Sequence, residues 1–283
     1  MVGGLAEMLE GDDRSEFALR LRLLRRTALP FQECADNGGE MVRGPRHCHQ
    51  VESRIEEMLP AETARRFLTL LEAYVLLAAI IVHDFGYSRT VEQHWVESCN
   101  ILDGLPRGLA EHQPGQNLWS NTLGQLEEAR PAVKAVVMLH GPDVDPSSAE
   151  YRDMSCGVWG TIRIRVLGGL LRLADDLETG LWRVREIPPA PEAQEVRVPS
   201  GRAEVRLAIK EIRCLPQERT VIIRAEPASP ETEEKVWNEF RHIHSRYGAV
   251  RPYAPDWARY DTFVLQMLSS GGLVEHLLGF RGE

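Results

Sequence analysis

The sequence has few cysteines, and none of them forms the C-x-x-C pair that structural zinc sites and redox motifs use. The five cysteines are scattered and odd in number, which is typical of a protein in a reducing compartment. We therefore expect no zinc knuckle, and we expect the protein to be cytoplasmic.

Positive charge is also in deficit. Lysine and arginine total 33 against 42 aspartates and glutamates, which gives a formal net charge of −9. Non-specific nucleic-acid binding needs basic residues that neutralise phosphates, so we do not expect it. The net charge does not exclude local basic patches. The candidates are Arg43 with Arg46, and Arg172 with Arg183 and Arg185.

The sequence pattern predicts no membrane-directed segment. The opening residues, MVGGLAEMLEGDD, lack a basic region followed by an apolar stretch, so we predict no signal peptide. The longest apolar run, residues 67–82, contains Glu72 and is shorter than the roughly 20 residues that span a bilayer. This run predicts a buried core helix, and we expect no membrane partner.

Apolar residues recur at helical spacing through the first part of the chain. The predicted helices cover residues 14–27, 47–59, 62–82, 94–103, 120–139 and 157–179. Glycine, proline and polar residues predict loops at 31–46, 104–119 and 142–153. The helix over 62–82 is apolar nearly all round, so we expect it at the centre of the fold.

The pattern changes after residue 186, where three prolines follow closely. Alternating apolar and polar residues then predict strands at 195–199, 203–212 and 219–226. Further helices are predicted at 230–246 and 257–278. The expected fold class is mainly α, with a helical domain over 1–186 and a small α+β extension over 187–283 packed on it.

The pair His83-Asp84 at the end of the apolar helix is the most informative feature. Adjacent residues inside a helix diverge by about 100°, but at a helix end, where Gly86 lets the chain turn, both side chains can reach one cation. Imidazole and carboxylate suit Fe, Mn, Co, Ni or Zn. The alternative is that His83 caps the helix and Asp84 is a solvated turn residue.

Four more residues have contexts typical of ligands. His47 opens a helix, His94 begins another, and His140 ends the apolar segment VKAVVML. Asp175 lies in LLRLADDLE, an otherwise apolar helical stretch. Unpaired carboxylates are rarely buried, so a bound cation would explain it.

These segments together resemble the HD superfamily of metal-dependent phosphohydrolases. The resemblance covers residues 43–185 and rests on RHCHQV, LLAAIIVHDFGY and LLRLADDLE. It implies an all-α HD helical bundle in which one metal is held by His47, His83, Asp84 and Asp175. The tail after Asp175 also resembles a bacterial HD branch that carries an α+β extension.

The segments HWVESCNIL and VKAVVMLHGPD resemble the additional histidines of two-metal members. This implies His94 and His140 as ligands of a second ion, with Asp84 bridging. In a triphosphohydrolase branch, a histidine at a similar distance instead contacts phosphate or donates a proton. One or two divalent transition-metal ions are therefore expected.

Two ligand positions have competitors. His49 competes with His47, whose spacing to Val51 favours it, and Asp176 competes with Asp175, which the A-D-x-L register favours. The remaining histidines have no ligand-like context, and we expect them to be structural or on the surface: His112, His242, His244 and His276.

The chain departs from the family where many members carry a lysine that approaches phosphate, because Tyr87 occupies that position. A tyrosine can donate a hydrogen bond but carries no charge, so arginine and metal would have to neutralise phosphate. The candidates, each of which can also be an ordinary surface residue, are Arg46, Arg89, Arg172 and Arg183.

The sequence thus predicts hydrolysis of a nucleotide-like small molecule by metal-activated water. Asp84 would orient the water, and a non-ligating His94 or His49 would donate a proton to the leaving group. Two alternatives share the site: a mixed-valent di-iron oxygenase, and a nucleotide-sensing module without catalysis. A homo-oligomer is compatible with the sequence.

Overall fold

The structure is a computed structural model that describes residues 4–10, 16–36, 44–90, 92–104, 128–178 and 201–280. The fold is mainly α with a C-terminal α+β extension, as predicted. The helices are α1 Leu5–Glu10, α2 Glu16–Asp36, α3 Pro45–Met58, α4 Ala61–Phe67, α5 Leu70–Val82, α6 His94–Gly104, α7 Arg130–Leu139, α8 Ile164–Leu177, α9 Gly201–Ala208 and α10 Pro230–Val250. Residue 186, the predicted strand 195–199 and most of the predicted loop 104–119 lie outside the described residues.

Helix α5 is the centre of the bundle, and α1, α2, α3, α7 and α8 pack around it. By length and composition, Leu70–Ser88 could cross a membrane, but 89% of this segment is buried inside the fold. Such burial is typical of the core helix of a globular protein.

The predicted helix 62–82 is interrupted, because α4 ends at Phe67 and α5 begins at Leu70. Thr69 caps α5: its hydroxyl accepts from the Glu72 backbone, while the Glu72 carboxylate accepts from the Thr69 backbone. This capping box provides hydrogen-bond partners for amide groups that have none within the first turn of the helix. Glu72 is also paired with Arg163, which ties the start of α5 to α8.

Two loop and helix boundaries were predicted wrongly. The predicted loop 31–46 is helical at both ends, since α2 continues to Asp36 and α3 begins at Pro45. The predicted helix 157–179 starts only at Ile164. Before it, two short antiparallel strands pair, β1 Met154–Ser155 and β2 Thr161–Ile162.

The extension contains a four-stranded sheet in the order β3-β4-β5-β6. Its strands are β3 Ile209–Leu215, β4 Thr220–Ala225, β5 Thr262–Ser269 and β6 Gly272–Gly279. β4 and β5 are parallel and are connected through α10, whereas the other neighbours are antiparallel. The predicted strand 219–226 and helix 230–246 are therefore confirmed.

The predicted helix 257–278 is wrong, because this segment forms the hairpin β5–β6. Phe263, Leu265 and Met267 are buried at every second position, which is the period of a strand. Gly272, with φ of +109°, turns the chain between the strands. The predicted strand 203–212 is likewise helical up to Ala208, where α9 packs on α10.

The extension is joined to the bundle by hydrogen bonds to α3. The hydroxyl of Tyr260 donates to the carbonyl of Met58 over 3.1 Å, and the amide of Cys214 donates to Glu57 over 2.6 Å. Both Tyr260 and Cys214 are buried. The α+β unit thus packs against helices that carry the candidate site.

Candidate metal centre

His83 and Asp84 lie where α5 gives way to a short 3-10 helix over Phe85–Ser88. The turn is held by Ser98 of α6, whose hydroxyl accepts from the Gly86 amide at 2.8 Å and donates to the His83 carbonyl at 2.7 Å. A Cβ on Gly86 would lie 1.9 Å from the carbonyl oxygen of His94. Glycine therefore permits the close approach that brings α6 and the His-Asp pair together.

Four imidazole rings converge on this turn, and all four residues are buried. The Nε2 atoms of His47 and His83 are 3.1 Å apart, and so are those of His94 and His140. The opposite ring nitrogens of three of them are held by hydrogen bonds: His83 to the Ile80 carbonyl, His140 to the Val137 carbonyl and His47 to the Glu178 carboxylate. Such bonds at Nδ1 orient each ring so that its Nε2 faces the cluster, where it can bind a cation.

Two carboxylates complete the cluster. Oδ2 of Asp84 lies 3.3 Å from Nε2 of His47, while its Oδ1 lies 3.5 Å from Nε2 of His94. Oδ1 of Asp175 lies 3.2 Å from Nε2 of His47. Asp84 thus contacts both histidine pairs. The ligand atoms of His47, His83 and Asp84 form one group that could hold a metal ion, and those of Asp84, His94 and His140 form a second. The predicted ligand Asp175 lies beside the first group, next to His47.

The protonation of the cluster favours cation binding. Burial alone would raise the pKa of Asp84, but His83, His47 and His94 outweigh it and keep the pKa well below its usual range. Burial also lowers the pKa of His140 to about 3, so this ring stays neutral at physiological pH. Anionic carboxylate and neutral imidazole are the forms that metals bind.

The donor set and its burial fit a transition-metal ion. Imidazole nitrogen with carboxylate oxygen is a combination that suits Fe, Mn, Co, Ni or Zn. Oδ2 of Asp84 is buried and has no partner of hydrogen-bond geometry within the described residues. A buried anionic oxygen of this kind is costly unless a cation neutralises it.

A family model described as HD-CE matches residues 31–178, which is more than half of the chain. The chain belongs to the HD-CE family. None of the curated proteins matches it. The match begins within α2 and ends at Glu178, so it contains every residue of the histidine and aspartate cluster.

The competing ligand candidates of this HD-CE protein lie outside the cluster. His49 is exposed on α3, whereas His47 is buried in the cluster. Asp176 points to Arg246 of the extension, with which it forms a buried ion pair. Burial raises the pKa of Asp176 to about 7, although Arg246 opposes the shift.

The predicted phosphate-binding residues are spread over different environments. The ring of Tyr87 stacks on His94, with 3.8 Å between ring centroids and an interplanar angle of 16°. Arg46 is exposed next to His47, and Arg89 forms an ion pair with Glu97. Arg172 is buried and donates to backbone carbonyls, whereas Arg183 lies outside the described residues.

The remaining histidines show no cluster of their own within the described part of the chain. His242 is exposed, His244 stacks on Phe280, and His276 lies against Trp237. His112 falls outside the described residues.

Sequence reasoning missed Glu178 and Arg246. Glu178 follows Asp175 by three residues, so the helical spacing that places both on one face was a usable signal. Arg246 had no such signal, because its contact with the bundle joins residues far apart in sequence.

Proposed function

We propose that this protein is a metal-dependent phosphohydrolase acting on a phosphoester or phosphoanhydride bond of a nucleotide-like small molecule. The observation that carries the proposal is the position of Asp84, whose two oxygens contact both histidine pairs. Bound divalent cations would supply Lewis acidity and lower the pKa of water at such a site.

Asp84 is the group we assign to orienting the attacking water. Its pKa lies below the usual range, so the carboxylate is ionised at neutral pH and can accept a hydrogen bond from water. It is rigidly placed, because Ser98 holds the turn on which it lies. Fixed orientation of this kind contributes to catalysis by removing the entropic cost of alignment.

We assign proton transfer to His94 rather than to His49, because His94 lies in the cluster and His49 does not. His94 cannot donate a proton and bind a metal through the same nitrogen. In a site with one cation, its Nε2 can donate a proton to the leaving oxygen. In a site with two cations, the same atom is a ligand.

Arg46 is the arginine that we propose for contact with the phosphate. It is exposed in the first turn of α3, directly before His47. Arg172 is buried and donates to two carbonyls, so it is less suited to that role. The net charge of −9 disfavours non-specific nucleic-acid binding, and local positive charge from the metal and Arg46 would have to neutralise a phosphate substrate.

The test combines metal analysis with a substrate screen. The protein is purified under anaerobic and aerobic conditions, its metal content is measured, and the products of hydrolysis are assayed with nucleotide monoesters, triphosphates and cyclic dinucleotides. Asp84→Asn should abolish bound metal and turnover. Asp103→Asn, the same change at an exposed carboxylate, should leave both unchanged.

The outcomes separate the three functions that share this ligand set. Hydrolysis of any of these substrates that depends on Asp84 supports the hydrolase. Oxygen uptake by an iron-loaded protein without hydrolysis of these substrates would replace it with a di-iron oxygenase. Binding of nucleotides by metal-loaded protein with no turnover would replace it with a sensing module.

A further inference from the structure

Three consecutive carbonyl groups at the end of α7 receive arginine side chains. Arg246 donates through Nη2 to the His140 carbonyl over 2.8 Å. Arg172 donates through Nη2 to the carbonyls of Gly141 and Pro142, both over 2.9 Å. The last carbonyls of a helix have no partner within the helix, and cations there also complement the helix dipole.

The two arginines come from different parts of the fold. Arg172 belongs to α8 and is 1% exposed, while Arg246 belongs to α10 of the extension. Arg246 also pairs with Asp176, the neighbour of Asp175 on α8. The guanidinium of Arg246 therefore connects the backbone of one candidate ligand, His140, to the helix that carries another.

The His140 ring has little freedom to shift independently of this backbone. Its Nδ1 bonds to the Val137 carbonyl one turn earlier, and its Nε2 faces His94 at 3.1 Å. The next residue, Gly141, is packed so tightly that a Cβ would lie 2.7 Å from the ring of Trp95. A displacement of the His140 carbonyl would therefore displace the ring.

We propose that Arg246 is a positioning residue that holds His140 in place as a metal ligand, so that the C-terminal extension completes the His94–His140 half of the site. The inference rests on the metal-dependent function proposed above. The HD-CE match ends at residue 178, so Arg246 comes from a part of the chain beyond the matched region. The extension thereby becomes a component of the metal centre.

The test is a Mn²⁺ titration of metal-free protein, followed by calorimetry and electron paramagnetic resonance. Wild-type protein should bind two equivalents and give the spectrum of a coupled ion pair. Arg246→Met should bind the first equivalent with wild-type affinity and the second about 10–100-fold more weakly, the usual effect of losing a residue that supports a ligand. Arg246→Lys should recover part of that loss.

The control is Arg251→Met, at the residue directly after α10. Arg251 forms an ion pair with Asp261 within the extension. Its loss should lower the melting temperature and leave both Mn²⁺ affinities unchanged. A merely structural role of Arg246 would produce the same pattern, which would overturn the inference.

Arg246→Met alone leaves the Asp176 carboxylate buried without its partner, which can prevent folding. The double variant Arg246→Met/Asp176→Asn avoids this, and Asp176→Asn alone retains the bond from Arg246 to His140. The double variant should bind the second Mn²⁺ about 10–100-fold more weakly, and the single variant should bind it with wild-type affinity. Equal affinities in the two variants, equal weakening of both equivalents, or one equivalent in wild-type protein would overturn the inference.

The measurement uses no substrate, so it separates the two proposals. Selective weakening of the second Mn²⁺ equivalent in a protein that hydrolyses none of the nucleotide substrates would support the role of Arg246 and refute the hydrolase.

Discussion

Nδ1 of His47 lies 3.1 Å from Oε2 of Glu178, and both side chains are buried. Glu178 is the residue directly after α8, the helix that carries Asp175. A carboxylate in this position fixes the orientation of the imidazole and raises the basicity of its opposite nitrogen. His47 is therefore prepared for cation binding by a residue that does not itself join the cluster.

Glu178→Ala is expected to weaken metal binding by about 10–100-fold, since the His47 ring loses both its orientation and its anionic partner. Glu178→Gln keeps an acceptor oxygen, so its metal affinity should lie between those of Glu178→Ala and the wild-type protein. Chelator competition measures the dissociation constants. Glu234→Ala, at an exposed position of α10, is the control, and an equal effect there would contradict the assignment.

Gly86→Ala is expected to disrupt the turn that carries Asp84. The added Cβ would meet the His94 carbonyl oxygen at 1.9 Å, and backbone cannot move aside as a flexible side chain can. We expect a loss of at least the roughly 1–3 kcal/mol that overpacking costs, measured by chemical denaturation.

The control for this variant is Gly271→Ala between β5 and β6. A Cβ there would meet only the Ser269 hydroxyl, at an ordinary 3.8 Å. Comparable stability losses in the two variants would show that the close approach at Gly86 is not the cause.

Tyr87 is expected to act through its ring rather than its hydroxyl. The ring stacks on His94, so Tyr87→Phe should retain metal content and turnover within a few-fold, whereas Tyr87→Ala should reduce both. Metal analysis and steady-state kinetics provide the readouts. A large loss of turnover in Tyr87→Phe with normal metal content would instead favour contact between the hydroxyl and phosphate.

Glu56 is expected to make stability depend on pH. Burial, with the nearby Glu52, raises the pKa of Glu56 to about 7 from its ordinary 4.5. A raised pKa in the folded state means that the contribution to stability is full below pH 4.5 and is lost as the pH rises through 7. Glu56→Gln removes this loss, and its oxygen can still accept from the Leu5 amide.

The difference in melting temperature between Glu56→Gln and wild type should therefore grow from pH 4.5 to 7 and stay constant above it. Melting curves between pH 4.5 and 8 measure it, with Glu234→Gln as the exposed control. A difference in melting temperature that is independent of pH would contradict the raised pKa of Glu56.

Much of the candidate site was predictable from local pattern. An apolar helix that ends in His83-Asp84-Phe85-Gly86 predicts a buried helix with a sharp turn, and both are present. The buried stretch around Asp175 similarly predicts a carboxylate that needs a counter-charge. These features were readable because periodicity and helix-end signals depend on neighbours along the chain.

The wrong predictions have a different origin. The segment 257–278 contains enough apolar residues to satisfy either a helix or a strand. It forms the hairpin β5–β6 because β5 pairs with β4, a partner that is distant in sequence. The apolar residues of the short segment 203–208 likewise fit both the helix period and the strand period. The segment is helical because it packs on α10.

The sequence by itself determined the helical class, the buried core helix and the residue types that can hold a cation. Only the tertiary structure decided which of them meet: that His47 rather than His49 faces Asp84, that Glu178 holds His47, and that Arg246 reaches the His140 carbonyl. The physical reason is that hydrogen bonds and ion pairs between distant segments depend on how the helices pack. Side-chain periodicity records which face of a helix is buried, but not which partner lies opposite that face.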